Sequence, residues 1–137
     1  MRHDLWGCTV EIDRELTEKW YQTAAVWGCE CGDCRRFVQL AQGRKLPVPI
    51  LACLDGLGIP PEKATYVCQI IATDGGDLFQ FIYRIAGVIL EKGTEGKQPW
   101  GEVRFCREPY PYGAPGFPEH HFDLEFWATL PKNSAEE

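Results

Sequence analysis

The chain has 137 residues, of which 45% are hydrophobic and 25% are charged, as is typical of one globular domain. Its net charge of −6 argues against a surface that follows nucleic-acid phosphates. No apolar run approaches the roughly 20 residues of a membrane-spanning helix, and no apolar stretch follows Arg2 as in a secretory signal. These features predict a soluble, cytoplasmic protein that binds neither nucleic acid nor membrane.

The N-terminal region predicts one strand followed by one helix. Apolar and polar residues alternate from Leu5 to Asp13, which is the period of a half-buried strand. After this segment the apolar residues recur about every fourth position, as in an amphipathic helix. Thr17 can cap this helix, and Gly28 can end it.

Two more short helices are predicted before the chain turns to strands. Asp33 is expected to cap a helix from Cys34 to about Gln42, whose apolar side chains share one face. The chain then restarts as a helix after Pro47, and Gly58 supplies the left-handed residue that ends it.

The second half of the chain predicts antiparallel strands. Asp74-Gly75-Gly76-Asp77 separates two alternating segments and is a strong hairpin signal. A short strand is expected from Glu102 to Arg107, and a last strand from His120 to Leu130. Arg84 in the hairpin is expected to pair with Asp123 or Glu125 across the sheet.

This order of elements predicts an α+β fold. The short helices of the N-terminal half are expected to pack on one face of an antiparallel sheet of about four or five strands. We expect a single domain over residues 1–130 and a frayed, charged tail over residues 131–137.

The chain has seven cysteines, an odd number that no export signal accompanies. Disulfide frameworks are typical of exported proteins, whereas free or metal-bound thiols are typical of reducing compartments. We therefore expect free thiols, some of them on a metal.

Three of these cysteines form the one motif with clear chemical potential. Cys29, Cys31 and Cys34 fall within six residues, in a glycine-containing turn at the start of a predicted helix. Structural zinc takes four thiolate or imidazole ligands at about 2.0–2.3 Å, and the turn offers three. The motif therefore predicts a zinc site that needs one more ligand.

Cys106 is the preferred candidate for that fourth ligand. It shares a strand face with Glu102 and Arg104, whereas Cys8, Cys53 and Cys68 lie on apolar faces, where a cysteine is more often a core residue. The three histidines of the chain are the other candidates.

Two alternatives use the same cysteines. Cys31-Gly32-Asp33-Cys34 is a Cys-x-x-Cys at a helix start, which favours a thiolate and predicts a thiol–disulfide oxidoreductase in which Cys31 attacks. Such enzymes of the thioredoxin type have a strand just before the motif, whereas this chain predicts a helix there. In the other alternative the cysteines are purely structural and no metal is bound, because Cys34 shares the helical phase of Phe37.

Residues 109–118 contain four prolines and three aromatic residues. They are interpreted as a loop that docks an unknown protein partner, or as one whose rings fold back onto the sheet. The aromatic content of 12%, with five tryptophans, also predicts a homodimer. The sequence as a whole favours binding or scaffolding over catalysis.

Three segments resemble a family of small bacterial proteins of unknown function. They are the Trp-Gly-Cys-x-Cys-x-x-Cys-Arg turn at residues 27–35, the Leu-Gly-Ile-x-Pro-x-Lys turn within residues 54–63, and the aromatic and acidic strand at residues 122–127. The resemblance covers most of the chain. It implies a shared small α+β domain and no established activity.

Overall fold

A computed structural model describes residues 1–29, 31–93, 96–108 and 114–131. Within these ranges the chain forms three helices and seven strands, which confirms the α+β fold with helices in the N-terminal half. In chain order they are β1 (Arg2–Leu5), β2 (Cys8–Ile12), α1 (Arg14–Thr23), α2 (Gly32–Gln42), α3 (Val48–Leu57), a 3₁₀ turn (Pro61–Lys63), β3 (Tyr66–Thr73), β4 (Gly76–Glu91), β5 (Gly96–Gln98), β6 (Gly101–Cys106) and β7 (His121–Leu130).

The sheet is antiparallel and larger than the four or five strands predicted. Its order is β1-β2-β4-β7-β6-β5, with β3 paired to β4 beside this path. The 16-residue β4 organises the sheet, because β3 pairs with its first half, β2 with its last residues and β7 with Asp77 to Ala86. The predicted hairpin is confirmed, with Thr73 opposite Gly76.

The extra strands come from two short turns. The predicted single strand from Leu5 to Asp13 was wrong, because the chain reverses at Trp6 and Gly7 and sets Leu5 opposite Cys8. Both turn residues have positive φ, 48° and 83°, as the tightest hairpin turns require. A tryptophan in that conformation is rare, so the local sequence carries no turn signal. The second extra strand, β5, pairs with β6.

The helix boundaries also differ from the predicted ones. Asp13, not Thr17, caps α1 by accepting from the Leu16 amide at 3.0 Å, and this helix ends at Thr23, well before Gly28. The Thr17 hydroxyl instead donates a hydrogen bond to the Asp13 carbonyl and accepts one from the Ala86 amide of β4. The third helix ends as predicted, with Gly58 left-handed at φ 72°.

The core lies between the helices and the apolar face of the sheet. Phe37 of α2 packs on Phe79 and Phe81 of β4, with ring centroids 6.2 and 5.0 Å apart. Tyr83, two residues further along β4, donates its hydroxyl to the Pro61 carbonyl at 2.6 Å. The helix α2 also contacts the 3₁₀ turn and β3.

The predicted ion pair across the sheet is present. Arg84 lies opposite Asp123, with Nε and Oδ1 3.0 Å apart and side chains only 7% and 2% exposed. Tyr21 of α1 donates its hydroxyl to the Arg84 carbonyl at 2.8 Å, which ties the helix to the same point of β4.

Glycine is required at position 87, where β4 pairs with β2. Its φ is +148°, and a Cβ built there would lie 1.9 Å from the Glu11 carbonyl oxygen. We expect Gly87→Ala to lower the free energy of unfolding by about 3 kcal/mol, because the backbone itself must move. Urea denaturation measures this loss. Gly75→Ala, where an added Cβ meets nothing within 4 Å, is the control and should cost less than about 0.5 kcal/mol. Equal effects of the two variants would contradict the interpretation.

The predicted docking loop is described only in part, since residues 109–113 lie outside the described ranges, as do residues 132–137 of the predicted tail. The described part folds back onto the protein: Phe117 packs on Trp20 with ring centroids 4.9 Å apart. Among the described residues, no helix is long and apolar enough to cross a membrane.

Candidate metal centre

Three sulfur atoms come together at the start of α2. The Sγ atoms of Cys29, Cys31 and Cys34 all lie within 4.8 Å of one another. In a tetrahedral zinc–thiolate site the sulfurs are roughly 3.8 Å apart, from a Zn–S bond of about 2.3 Å. The three cysteines could therefore hold a metal ion after only small side-chain movements.

The start of α2 positions two of the three cysteines, Cys31 and Cys34. Cys31 is the N-cap residue of α2, with extended backbone dihedrals (φ −66°, ψ 157°). Its sulfur accepts a hydrogen bond from the Cys34 amide at 3.4 Å, so it takes the place that a serine or aspartate oxygen fills in most N-caps. The prediction of Asp33 as the cap was wrong; Asp33 lies in the first turn instead.

The burial of the three thiols differs. Cys34 lies on the same face of α2 as the buried Phe37 and Ala41, and it is 6% exposed. Cys29 and Cys31 are exposed. The cluster thus has a buried floor and two solvent-facing thiols.

The pKa values of two of these thiols move in opposite directions. Hydrogen bonds from the Cys34 amide and thiol, and from Cys29, favour the thiolate and lower the pKa of Cys31. Burial raises the pKa of Cys34 to about 12, with the neighbouring Cys29 and Cys31 adding to the rise. At neutral pH without metal, Cys31 is the thiol that ionises most readily of the two.

Alkylation rates should show this difference. In chelator-treated protein at pH 7 we expect iodoacetamide to modify Cys31 at least about tenfold faster than Cys34, because the thiolate is the reactive form. Peptide mapping by mass spectrometry measures both rates. Cys53, whose pKa burial raises to about 12, is the internal control and should be as slow as Cys34. Modification of Cys34 at the rate of Cys31 would contradict the expected order.

The segment before the cluster is held by Trp27. Its backbone amide donates to the Glu62 carbonyl at 3.2 Å, and its ring packs edge-on against Tyr66 with centroids 5.9 Å apart. The indole lines the same cavity as Cys29, and it lowers the pKa of Cys34 against the larger rise that burial causes. Residues 24–29, which otherwise form neither helix nor strand, are thereby anchored to the 3₁₀ turn and β3.

Arg36 joins α2 to strand β4. Its Nη2 bonds the buried Asp77 carboxylate of β4, and its guanidinium lies over the Phe79 ring, 5.4 Å from the centroid. Asp33 lies 3.9 Å from the same guanidinium nitrogen. The position of Cys34 relative to the sheet is therefore set by an ion pair as well as by packing.

An open cavity of about 380 Å³ adjoins the cluster. Cys29 lies in its wall, with Val26 and Val38 among the apolar lining residues. Solvent and small reagents can therefore reach Cys29 directly.

The predicted fourth ligand is not part of the cluster among the described residues. Cys106 lies on β6 opposite Asp123, and its thiol is 3.8 Å from Glu125 Oε1. Burial raises the pKa of Cys106 to about 11. No histidine belongs to the group of three sulfurs in the described part of the chain either. Glu30, between two of the cysteines, lies outside the described residues.

The other cysteines occupy structural positions. Cys8 is fully buried in β2, and its sulfur accepts from the Gly93 amide at 3.4 Å. Cys53 and Cys68 are partly buried in α3 and β3. None of the seven cysteines, all of which are described, forms a disulfide.

Comparison with family models, with curated proteins and with solved structures finds no match for this chain. The resemblance to small bacterial proteins therefore stays a prediction. The chemistry of the site has to be argued from the cysteine cluster itself.

Proposed function

We propose that Cys29, Cys31 and Cys34 hold a structural zinc ion that fixes the connection between α1 and α2 in a binding or scaffolding protein. The observation that carries this proposal is the approach of three sulfur atoms to within 4.8 Å of one another. Two of these thiols are exposed, and exposed thiols so close together are poor packing partners but good ligands.

The donor set suits zinc better than the other common divalent ions. Thiolates are soft ligands, which Mg²⁺ and Ca²⁺ do not take in proteins, whereas Zn²⁺ binds them in tetrahedral sites. Three thiolates and one Zn²⁺ carry a net charge of −1. The position of the site at the start of α2 gives the ion a structural task, since residues 24–29 have no secondary structure of their own.

Elemental analysis of protein purified without added metal tests the proposal. We expect about one zinc per chain in the wild type. Cys29→Ser should lose most of it, because two thiolates bind far more weakly than three. Cys53→Ser is the matched control and should retain the metal, since Cys53 lies on α3 outside the cluster. Metal-free wild-type protein that also fails to take up added zinc would refute the proposal.

The fourth ligand is addressed by a further variant. Cys106, a histidine or a water molecule would complete the tetrahedron. Cys106→Ser should reduce zinc affinity if Cys106 is the ligand and leave it unchanged otherwise. The spectrum of Co²⁺-substituted protein distinguishes three thiolate ligands from four by the intensity of its sulfur-to-cobalt charge-transfer band.

A second candidate function, thiol–disulfide exchange by Cys31 and Cys34, is supported by one specific observation. An exposed cysteine caps the helix, its pKa is lowered, and the second cysteine of the pair lies buried beneath it. In such a reaction the Cys31 thiolate attacks a substrate disulfide and releases one thiolate. Cys34 then attacks Cys31, which releases the second substrate thiol and leaves a Cys31–Cys34 disulfide.

The two candidates give opposite results in one measurement. Metal-free protein equilibrated with glutathione redox buffers should form a reversible Cys31–Cys34 disulfide if exchange is the function. Zinc-loaded protein should resist the same treatment.

The cytoplasmic location and the homodimer stay predictions. Sedimentation of the zinc-loaded chain tests the homodimer.

A further inference from the structure

The indole nitrogen of Trp27 is a buried donor without an ordinary partner. Trp27 Nε1 is shielded from solvent and makes no hydrogen bond to any described nitrogen, oxygen or sulfur atom. Leaving such a donor unsatisfied costs about 1–3 kcal/mol, so native proteins usually provide an acceptor.

The candidate acceptor is the sulfur of Cys34, because the Trp27 side chain lowers the pKa of that thiol although the two make no full hydrogen bond. The indole is not free to turn elsewhere. Its ring is packed against Tyr66, and its backbone amide is bonded to the Glu62 carbonyl. The fold therefore keeps the indole beside the cysteine cluster, where Trp27 and Cys29 line one cavity.

The protonation state of the sulfur decides how good this contact is. A neutral thiol is a weak acceptor, whereas an anionic or metal-bound thiolate accepts a charge-assisted hydrogen bond of roughly twice the strength. A protein that used Cys34 only as a small core residue would gain nothing from an indole N–H aimed at it.

We propose that Trp27 is a positioning residue of the metal centre, whose indole N–H donates a hydrogen bond to the Cys34 sulfur when that sulfur is a metal ligand. This inference rests on the proposed zinc site. The hydrogen bond orients the buried ligand and withdraws charge from its sulfur. Partners of this kind, outside the ligand set, typically contribute 10- to 100-fold in metal affinity.

Trp27→Phe tests the inference, since it keeps an aromatic ring against Tyr66 and removes the indole N–H together with part of the ring volume. Zinc affinity is measured by competition with a chromophoric chelator, and we expect it to fall about 10- to 100-fold relative to wild type. Trp20→Phe is the matched control. Trp20 and Trp27 both line a second open cavity, of about 410 Å³, but the Trp20 indole N–H donates to the Pro115 carbonyl at 3.1 Å. Its replacement should leave zinc affinity unchanged.

The absorption of Co²⁺-substituted protein gives a readout that loss of packing alone would not move. Removing a donor from a thiolate raises the energy of the sulfur electrons, so the sulfur-to-cobalt charge-transfer band of Trp27→Phe should shift to longer wavelength. The same band should stay in place in Trp20→Phe. Circular dichroism checks that both variants are folded.

The outcomes separate this inference from the proposal beneath it. Wild-type protein that binds neither zinc nor cobalt overturns both. Wild-type protein that binds metal, with unchanged affinity and band position in folded Trp27→Phe, overturns only the role of Trp27. A Trp27→Phe variant that is unfolded without metal but regains the wild-type band and affinity on cobalt addition also overturns it.

Discussion

Chelation of the bound zinc is expected to lower the free energy of unfolding by about 2.7 kcal/mol, relative to protein kept at a free zinc concentration a hundredfold above Kd. The physical reason is that the folded state brings Cys29, Cys31 and Cys34 together, whereas the unfolded chain does not. Urea denaturation with and without a strong chelator measures the difference. Limited proteolysis should show new cleavage within residues 24–31 at chelator concentrations that leave the sheet folded.

The control for this experiment is Cys29→Ser. Because this variant lacks a ligand, its stability should not respond to the chelator, and it should match chelated wild type. A chelator effect of the same size in the variant would show that the metal lies elsewhere. An effect of zero in wild-type protein shown to contain zinc would mean that the ion does not contribute to the fold.

Truncation of the buried ion pair between Arg84 and Asp123 is expected to have the largest effect on stability. Asp123→Ala should lower the free energy of unfolding by about 3–5 kcal/mol, because it leaves the Arg84 guanidinium buried without its carboxylate. The pair lies in the middle of the sheet, 3.0 Å apart, and the Asp123 side chain is 2% exposed. The shift of the urea midpoint at constant slope measures the loss.

Asp55→Ala is the matched control, since it breaks an ion pair of similar geometry at the surface. Arg44 and Asp55 lie 2.6 Å apart with side chains 51% and 54% exposed. Exposed pairs contribute only about 0–1 kcal/mol, so this variant should stay close to wild type. If Asp123→Ala and Asp55→Ala lowered the free energy of unfolding equally, burial would not explain the contribution of the Arg84–Asp123 pair to stability.

The elements that could be predicted from the sequence are those specified by neighbouring residues. The hairpin at residues 74–77 and the end of α3 at Gly58 follow from glycines at turn positions, and the structure has both. The pairing of Arg84 with Asp123 could also be anticipated. Arg84 is the one basic residue of β4, and β7 offers two acidic partners, Asp123 and Glu125, between which the sequence did not decide.

The elements that were missed depend on contacts distant in sequence. The β1–β2 turn puts Trp6 in a left-handed conformation, and Trp6 packs on Trp100 and Phe126, far along the chain. Tertiary packing of this ring outweighs its poor local preference for the turn. The earlier start of α1 has the same kind of cause, because Thr17 lies inside the helix, where its hydroxyl accepts from the Ala86 amide, and cannot serve as the cap.

The candidate site divides in the same way. The convergence of Cys29, Cys31 and Cys34 was predictable because six residues of chain around a helix start leave the sulfurs little freedom to separate. Trp27 and Arg36 were not recognised as supports, since their partners Tyr66 and Asp77 lie on other strands. The Trp-Gly pair just before the first cysteine was the available signal for the former.

The place of β7 in the sheet has a consequence for synthesis. This strand comes last of the seven in chain order, yet it lies between β4 and β6. Until residue 130 has left the ribosome, the hairpin of β5 and β6 has no strand to join, and one edge of β4 stays open. Domains emerge N-terminal part first, at about 5–20 residues per second. The helices and the cysteine turn are therefore made early, but the sheet that supports them closes only when nearly all of the described chain is available.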